Sequence, residues 1–169
     1  MHILIATTGV LSAGAAVEFA GRLSSDDGTV TVTTVIEVPR SFLEDVHADG
    51  WHPLGQHDTG NGDPGDDTLI DRYVEERGSR LTEPLVSALR AAGITARTTF
   101  LEGQNPAKQI SVLADEIEAD VIVLGATRRI FATSAWESVS SQLIAQTSRP
   151  VLVIPSVTRQ LPVADTAAE

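Results

Sequence analysis

The 169-residue sequence contains no cysteine. Disulfides, thiolate nucleophiles and cysteine-bound metals are therefore excluded. Long hydrophobic runs are also missing, since no apolar stretch approaches the roughly 20 residues of a membrane-spanning helix. The chain passes from Met1 and His2 directly into a strand-like segment, without the charged region and cleavage site of a signal peptide. We therefore expect a cytoplasmic protein that does not enter a membrane.

Positive charge is scarce. Lysine and arginine number 12 against 23 aspartates and glutamates, which gives a net charge of −11. Nucleic acids and anionic membrane surfaces attract basic proteins, so neither is an expected partner. The length suits one domain, and 42% hydrophobic residues suffice for a core of that size.

Enzyme motifs are missing as well. The sequence has no G-x-S-x-G, G-x-x-x-x-G-K-[ST] or H-E-x-x-H pattern, and no paired carboxylates that can be placed in a cleft. We therefore predict that the protein is not an enzyme.

Apolar strand-like and helical segments alternate along the chain. The strands are predicted at residues 2–7, 29–38, 94–103, 120–125 and 150–155, with helical periodicity between them. Such alternation predicts a parallel sheet with helices on both faces. Ligands of such sheets bind beyond the carboxyl ends of the strands, here near the turns after the first and fourth strands.

Several helix boundaries carry local signals. Pro84 interrupts the periodicity of the second helix and predicts a kink or a break. Asn105 and Pro106 form a typical helix start, with Asn as the cap. A capping box from Ser134 to Glu137 predicts the start of the last helix. That helix is expected to turn Val139, Leu143 and Ile144 inward.

The segment 39–67 differs from the rest of the chain. It holds five glycines, three prolines, seven acidic residues and one arginine, so −6 of the net charge lies here. We predict an acidic loop insertion, which is a candidate surface for a protein partner. His47, His52 and His57 recur within it at a spacing that fits no single face of a helix or strand, so no metal site is predicted. Residues 156–169 are predicted to form a flexible C-terminal tail.

The stretch DVIVLGATRRIFA, residues 120–132, poses the main functional question. A strand that ends in a glycine turn can hold a phosphate on its backbone N–H groups. Here Gly125 is followed by Arg128 and Arg129. These side chains either hold an anion themselves, since guanidinium groups bind phosphate well, or are ordinary surface arginines.

Four stretches together resemble the universal stress protein family, over roughly residues 2–155. They are ILIATTGV, EGQNPAKQI, ADVIVLGATRR and SVSSQLIAQTSRPVLVIP. The resemblance implies an adenine-nucleotide alpha-hydrolase-like three-layer sandwich around a five-stranded parallel sheet of order 3-2-1-4-5. It also implies a homodimer that pairs through the strand 150–155. Some members of the family bind ATP or AMP, and others do not.

The nucleotide-binding members resemble one another in a G-x-x-G-x(9)-G-[ST] pattern and in an Asp after the first strand. Gly125 matches the first glycine and Ser138 the Ser/Thr. Arg128 and Glu137 replace the other two glycines, the spacer between them is eight residues, and Thr8 replaces the Asp. The resemblance therefore implies a degenerate ATP motif, with no cofactor expected and ATP or AMP as the possible ligands.

The resemblance also implies a role for Val35, which corresponds by position to an apolar base contact in the nucleotide-binding relatives. The candidate ligand-binding residues are therefore Thr8, Gly9, Val35, Gly125, Arg128, Arg129, Ser138 and Val139. The function that the resemblance favours is a non-catalytic, dimeric regulatory module of the stress response, without the family's usual ATP binding. The alternative is an adenine-nucleotide or small-anion sensor that uses Arg128 and Arg129 in place of phosphate-loop glycines.

Overall fold

The computed structural model describes residues 1–9, 11–23, 28–39, 66–126 and 139–155. Within these ranges the chain forms five strands and four helices. The strands are β1 (His2–Ala6), β2 (Thr29–Ile36), β3 (Ala96–Glu102), β4 (Val121–Ala126) and β5 (Val151–Pro155). The helices are α1 (Ala13–Leu23), α2 (Asp66–Ala91), α3 (Pro106–Glu116) and α4 (Val139–Gln146).

All five strands lie in one parallel sheet of order β3-β2-β1-β4-β5. This confirms the fold class and the strand order that the family resemblance implies. The order reverses direction at β1, whose neighbours are β2 on one side and β4 on the other. A crevice therefore opens at the carboxyl ends of β1 and β4, where ligands of doubly wound sheets bind.

Alternate residues of the central strands enter two separate cores, because side chains of a strand point to opposite faces. On one face Ile3, Ile5 and Val32 pack against α1 and α2. On the other face Leu4 and Ile122 pack against Ala107, Ile110 and Leu113 of α3 and Leu143 of α4. The sheet is thus covered on both sides, which explains why β1 and β4 are nearly continuous apolar runs.

A third, smaller cluster continues β2 beyond the sheet. Ile36 and Val38 pack with Val74 of α2, and Tyr73, Leu81 and Phe100 surround them. The cluster attaches the N-terminal half of α2 to the end of β2. It therefore places α2 beside the crevice.

Two local predictions need correction. Of the kink or break predicted at Pro84, the break is wrong, because α2 runs as one helix through this residue. Pro84 is exposed, and Thr82 donates a side-chain hydrogen bond to the Gly78 carbonyl at 2.9 Å within the same stretch. The inward orientation of Ile144 is also wrong, since its exposed fraction is 58%. Leu143 takes the buried position, and the next residue lies about 100° further round the helix.

The predicted start of α3 is confirmed. The Asn105 side chain accepts a hydrogen bond from the Lys108 N–H at 3.0 Å, and Pro106 occupies the first turn. The capping box at 134–137, most of the acidic insertion and the tail lie outside the described residues. Only the two ends of segment 39–67 are described, and α2 begins at Asp66.

Candidate functional site

A cavity of about 90 Å³ lies at the carboxyl edge of the sheet, between the ends of β1, β2 and β4. Helices α3 and α4 contribute its outer wall. The described residues that line it are Ala6, Thr7, Thr8, Leu11, Thr34, Val35, Pro106, Ile110, Leu124, Gly125, Val139 and Ser140. The lining is mainly apolar with a few hydroxyl groups, which is the usual composition of a small-molecule site.

The turn after β1 forms one lip of the cavity. The Thr7 N–H donates to the Thr33 carbonyl at 3.0 Å, and the Thr7 hydroxyl oxygen accepts from the Gly9 N–H at 3.0 Å. Gly9 has a φ of 86°, a left-handed conformation that side chains rarely adopt. These contacts fix the turn and leave Thr8 exposed at the mouth of the cavity.

The end of β2 forms the floor. Pairing between β1 and β2 ends at Ala6 and Thr33, whereas pairing between β2 and β3 continues to Ile36 and Glu102. The Thr33 carbonyl faces β1 and the Ile36 carbonyl faces β3, where it accepts from Gly103. Because backbone groups alternate along a strand, the N–H and C=O of Val35 also face the side of β1.

Among the described residues no strand pairs with Val35 on that side, so its N–H and C=O face the cavity as a donor and an acceptor that the described sheet does not pair. Backbone groups of this kind are satisfied by a partner in nearly all folded proteins. A bound molecule with a complementary donor–acceptor edge would complete the strand pairing that β1 leaves unfinished.

The second lip is the end of β4. A Cβ added to Gly125 would lie 3.4 Å from Cα and 3.3 Å from Cδ1 of Leu11. The main chain after β1 therefore passes close to Gly125, and the two lips touch. Glycine at this position allows the close approach and bounds the cavity on the β4 side.

Helices α3 and α4 close the opposite wall. Pro106 and Ile110 reach the cavity from the first turns of α3, which is held in place by the fully buried Ala107. Val139 and Ser140 reach it from the start of α4, which is anchored by the fully buried Leu143. The helix starts thus form a largely apolar wall, and the apolar side chain of Val35 lines the same cavity.

Four of the eight predicted ligand-binding residues line this one cavity: Thr8, Val35, Gly125 and Val139. Gly9 lies in the adjoining turn and shapes it without being part of the wall. Arg128, Arg129 and Ser138 lie outside the described residues. The structure thus brings together residues that are far apart in the sequence, and their role in binding stays a prediction.

The sequence predictions missed Thr7, Thr34, Leu11 and Ile110 as lining residues. A usable signal was present in the length of TVTVTTVI. An eight-residue β2 beside a five-residue β1 must overrun it and leave backbone groups unpaired. Side-chain chemistry alone does not reveal such a site.

The described residues contain no group of three or more His, Asp or Glu side chains that could hold a metal ion. The cavity lining itself includes no carboxylate or imidazole among its described members. His47, His52 and His57 lie outside the described part of the chain. In the same part, no helix has both the length and the apolar character to cross a membrane.

The parallel sheet, with helices on both faces and a cavity where the strand order reverses, makes this chain a doubly wound α/β protein. The family model described as the universal stress protein family matches residues 1–155. The chain therefore belongs to the universal stress protein family. A search of the curated proteins finds no match.

Solved structures show the same fold. Hypothetical protein MJ0577 is similar with a TM-score of 0.61 and 18% identity, over 93% of this chain and 96% of that one. A universal stress family protein from Arabidopsis thaliana with AMP bound has a TM-score of 0.57 and 14% identity, over 97% of each chain. A universal stress protein in complex with cAMP has a TM-score of 0.56 and 15% identity, over 93% of this chain and 98% of that one. At these identities the likeness concerns the fold alone.

Proposed function

We propose that this protein is a non-catalytic regulatory module of its family, a cytoplasmic homodimer whose cavity senses an adenine-type ligand. The observation that carries the proposal is the N–H and C=O of Val35 on the cavity wall, which no described strand pairs. An adenine ring presents an acceptor next to a donor on one edge, which complements such a pair. The AMP and cAMP bound to two proteins of the same fold support this choice of ligand.

The shape of the cavity supports a flat, mostly apolar group. A ring that enters between Val35 and Val139 would contact side chains on both sides. Burial of apolar ring surface contributes roughly 25 cal/mol per Å². The backbone pair would then fix the orientation of the ring, as a few polar groups do in most small-molecule sites.

The non-catalytic part of the proposal follows from the same lining. General acid–base catalysis needs a positioned titratable side chain near the reacting atoms. The described lining offers threonine and serine hydroxyls, with no adjacent His, Lys or carboxylate to activate them. We therefore expect a ligand to be bound and released unchanged.

The first test is isothermal titration calorimetry with ATP, AMP, cAMP and inorganic phosphate, with and without magnesium. An assay for nucleotide hydrolysis runs on the same samples. We expect binding of an adenine compound and no turnover above the buffer control. Turnover that rises with protein concentration would contradict the non-catalytic role, and absence of any binding would contradict the sensor role.

A modified ligand tests the Val35 contact without altering the protein. N6,N6-dimethyladenosine lacks the N–H groups that a carbonyl at Val35 would accept. We expect it to bind at least tenfold more weakly than adenosine, because one neutral hydrogen bond is lost and the Val35 carbonyl stays unpaired. Equal affinity of the two compounds would place the base elsewhere.

A second candidate function is a small-anion sensor. It is favoured by the position of Gly125 on the cavity wall, since Arg128 and Arg129 follow three and four residues later. Phosphate alone should then bind, and Arg128→Gly should abolish that binding. An adenine sensor instead retains adenosine binding in Arg128→Gly, because adenosine carries no phosphate.

The homodimer is proposed to form through β5. The Ile122 N–H donates to the Pro150 carbonyl at 2.9 Å, so Leu152 and Ile154 also direct their backbone groups toward β4. By alternation, the N–H and C=O groups of Val151 and Val153 face away from β4. No described strand pairs with this edge, and soluble proteins rarely leave an apolar edge open.

Val153→Pro tests the dimer because it removes an N–H on the outer edge, where proline is tolerated in strands. We expect a folded monomer by analytical ultracentrifugation. The matched control Leu152→Pro removes an N–H that faces β4 and should destabilise the fold itself. A folded dimer in Val153→Pro would place the interface elsewhere.

The acidic segment 39–67 is the proposed surface for a protein partner, and its deletion should abolish that interaction while leaving dimerisation unchanged.

A further inference from the structure

Ile144 is the most exposed large hydrophobic side chain among the described residues, with an exposed fraction of 58%. It lies in α4, next to the fully buried Leu143. We propose that Ile144 and the outer face of α4 are buried against a second copy of the chain, beside β5. This inference rests on the proposed homodimer, and it adds a helix to the strand edge through which that dimer forms.

The way α3 and α4 lie on the sheet fixes the direction in which their sides face. Both helices begin at the cavity and run toward the opposite edge of the sheet, so they are parallel to each other. Near the end of α3, Asp115 accepts a hydrogen bond at 3.0 Å from Nε of Arg149, which lies just before β5. Viewed from the start of the helix, Asp115 is about 140° clockwise from the sheet-facing Ile110. The clockwise side of α3 therefore faces β5.

The same reasoning gives the direction of Ile144. In α4 this residue is about 100° clockwise from the sheet-facing Leu143. Because α4 is parallel to α3, Ile144 points away from α3 and toward the β5 side of the sheet. Gln142 lies about 100° round in the opposite sense and is half-buried, as expected of a residue on the side where α4 packs against α3.

The strand β5 on that side has an apolar and open edge. Among the described residues only β4 pairs with it, so the N–H and C=O groups of Val151 and Val153 are directed outward. The side chains of Val151, Leu152 and Val153 are each half-buried. A partner that brings a strand to this edge would satisfy the outward backbone groups and cover Ile144 at the same time.

The distribution of charge favours a second copy as this partner. The chain has a net charge of −11, so two copies repel each other. Residues 139–155, which form α4 and β5, contain a single charged residue, Arg149. Its guanidinium group is already bound to Asp115 and to the Ala119 carbonyl. Two copies can therefore meet at this face without opposing like charges, whereas a basic or acidic partner would gain no ion pair from it.

The size of the strand edge is the reason why a helix has to take part. A stable dimer usually buries roughly 800 Å² on each partner, from about 20–30 residues. The strand β5 has five residues. Pairing of β5 alone is therefore too small an interface, and Ile144 on α4 supplies further apolar surface on the same side of the sheet.

The first test is sedimentation equilibrium of the full chain and of two matched variants. Ile144→Asp would bury a charge in the interface, so we expect about tenfold weaker dimerisation. Val112→Asp adds the same charge at a residue that is 45% exposed in α3, about 200° round the helix from Ile110, and should change dimerisation less than about twofold. Equal effects of the two substitutions would show that net charge alone acts, and would overturn the inference. Circular dichroism checks that both variants are folded.

The absence of cysteine from the chain allows a second test. Ile144→Cys and Val112→Cys each introduce one thiol, whose reaction rate with a maleimide reports its exposure. We expect the thiol at position 144 to react about fivefold more slowly where the dimer forms than after dilution to the monomer. The thiol at position 112 should react at the same rate in both. A thiol at position 144 that reacts equally fast in the dimer would contradict the proposed contact.

Val153→Pro separates this inference from the dimer on which it rests. If Val153→Pro is a monomer and Ile144→Asp dimerises like the parent, the β5 pairing stands and the contact through α4 is wrong. If Ile144→Asp weakens a dimer that Val153→Pro retains, the copies meet through α4 and the β5 pairing is wrong. A parent chain that stays monomeric at all concentrations would overturn both.

Discussion

The main chain at Leu11 lies against Gly125, so that a Cβ on Gly125 would sit 3.4 Å from Leu11 Cα. Leu11 follows β1 and Gly125 belongs to β4, the two strands on either side of the crevice. Their contact joins the two lips of the cavity. A side chain at residue 125 would crowd Leu11, because its Cβ would lie 3.3 Å from Leu11 Cδ1.

The first prediction concerns this contact. Gly125→Ala should lower the free energy of unfolding by about 1 kcal/mol, since Leu11 has to move by a few tenths of an ångström. Ligand affinity should fall as well, because the displaced turn carries Thr8. Chemical denaturation and calorimetry measure the two effects.

Gly14→Ala is the matched control for Gly125→Ala. A Cβ at Gly14 would meet nothing within 4 Å, and this residue lies in α1, where alanine is favoured over glycine by about 1 kcal/mol. The control should therefore be slightly more stable than the parent and bind equally well. Unchanged affinity in Gly125→Ala would mean that the two lips do not act together.

The second prediction concerns the turn after β1. Gly9→Ala forces a side chain into a left-handed conformation, which costs about 1 kcal/mol or more. The new Cβ would also lie 3.3 Å from Cδ2 of Leu81, so this side chain has to move by a few tenths of an ångström. We expect a loss of stability and a weaker ligand complex, measured by thermal denaturation with and without ligand.

Gly93→Ala separates strain from contact in that experiment. Gly93 also has a positive φ, 77°, but a Cβ there would meet nothing within 4 Å. It should lose the same stability from strain and keep full ligand affinity. If Gly93→Ala weakens binding as much as Gly9→Ala does, the effect is global destabilisation and the local explanation fails.

The third prediction concerns two buried threonines on β2. The Thr33 hydroxyl is buried without a partner among the described residues, so Thr33→Val should stabilise the protein by about 1 kcal/mol. The Thr31 hydroxyl lies 2.8 Å from His2 Nε2, so Thr31→Val should destabilise it by about 1 kcal/mol. Urea denaturation of the two variants compares one substitution at two neighbouring sites. Shifts of the same sign would contradict the assigned hydrogen bonding.

The fourth prediction concerns Gly78 and Phe100. A Cβ on Gly78 would lie 2.4 Å from Cγ of Phe100. The aromatic ring of Phe100, a residue of β3, therefore packs directly on the main chain of α2. Gly78→Ala should therefore cost about 1–3 kcal/mol, more than the helix propensity that alanine gains. A second substitution, Phe100→Leu, should recover part of the loss in the double variant. Additive losses would show that the two positions do not interact.

The elements of the fold were predictable because their signals are local. The β-branched run of β2 and the Asn105–Pro106 start of α3 depend on neighbours in the sequence. The orientation of Ile144 was not predictable in this way. Two adjacent apolar residues compete for one buried position, and only the packing of α4 against β4 and α3 selects Leu143.

The candidate site likewise contains some features that local sequence signals predict and others that they do not. Thr8 follows β1 and Gly125 lies near the end of β4, so both were predictable from the rule that ligands bind at strand ends. The family resemblance indicated Val35. The unfinished pairing of β2 depends on the relative lengths of two strands and on their register, which no single segment encodes.

The overrun of β2 past β1 has a consequence for how this protein can change. The donor and acceptor at Val35 belong to the main chain, so every substitution except proline retains both of them. Phosphate-loop glycines and acidic side chains can each be lost through one substitution. A member of the family could therefore lose the sequence signature of ATP binding and still recognise a base. In such a protein the ability to bind a base depends on the lengths of the strands, which a motif search does not detect.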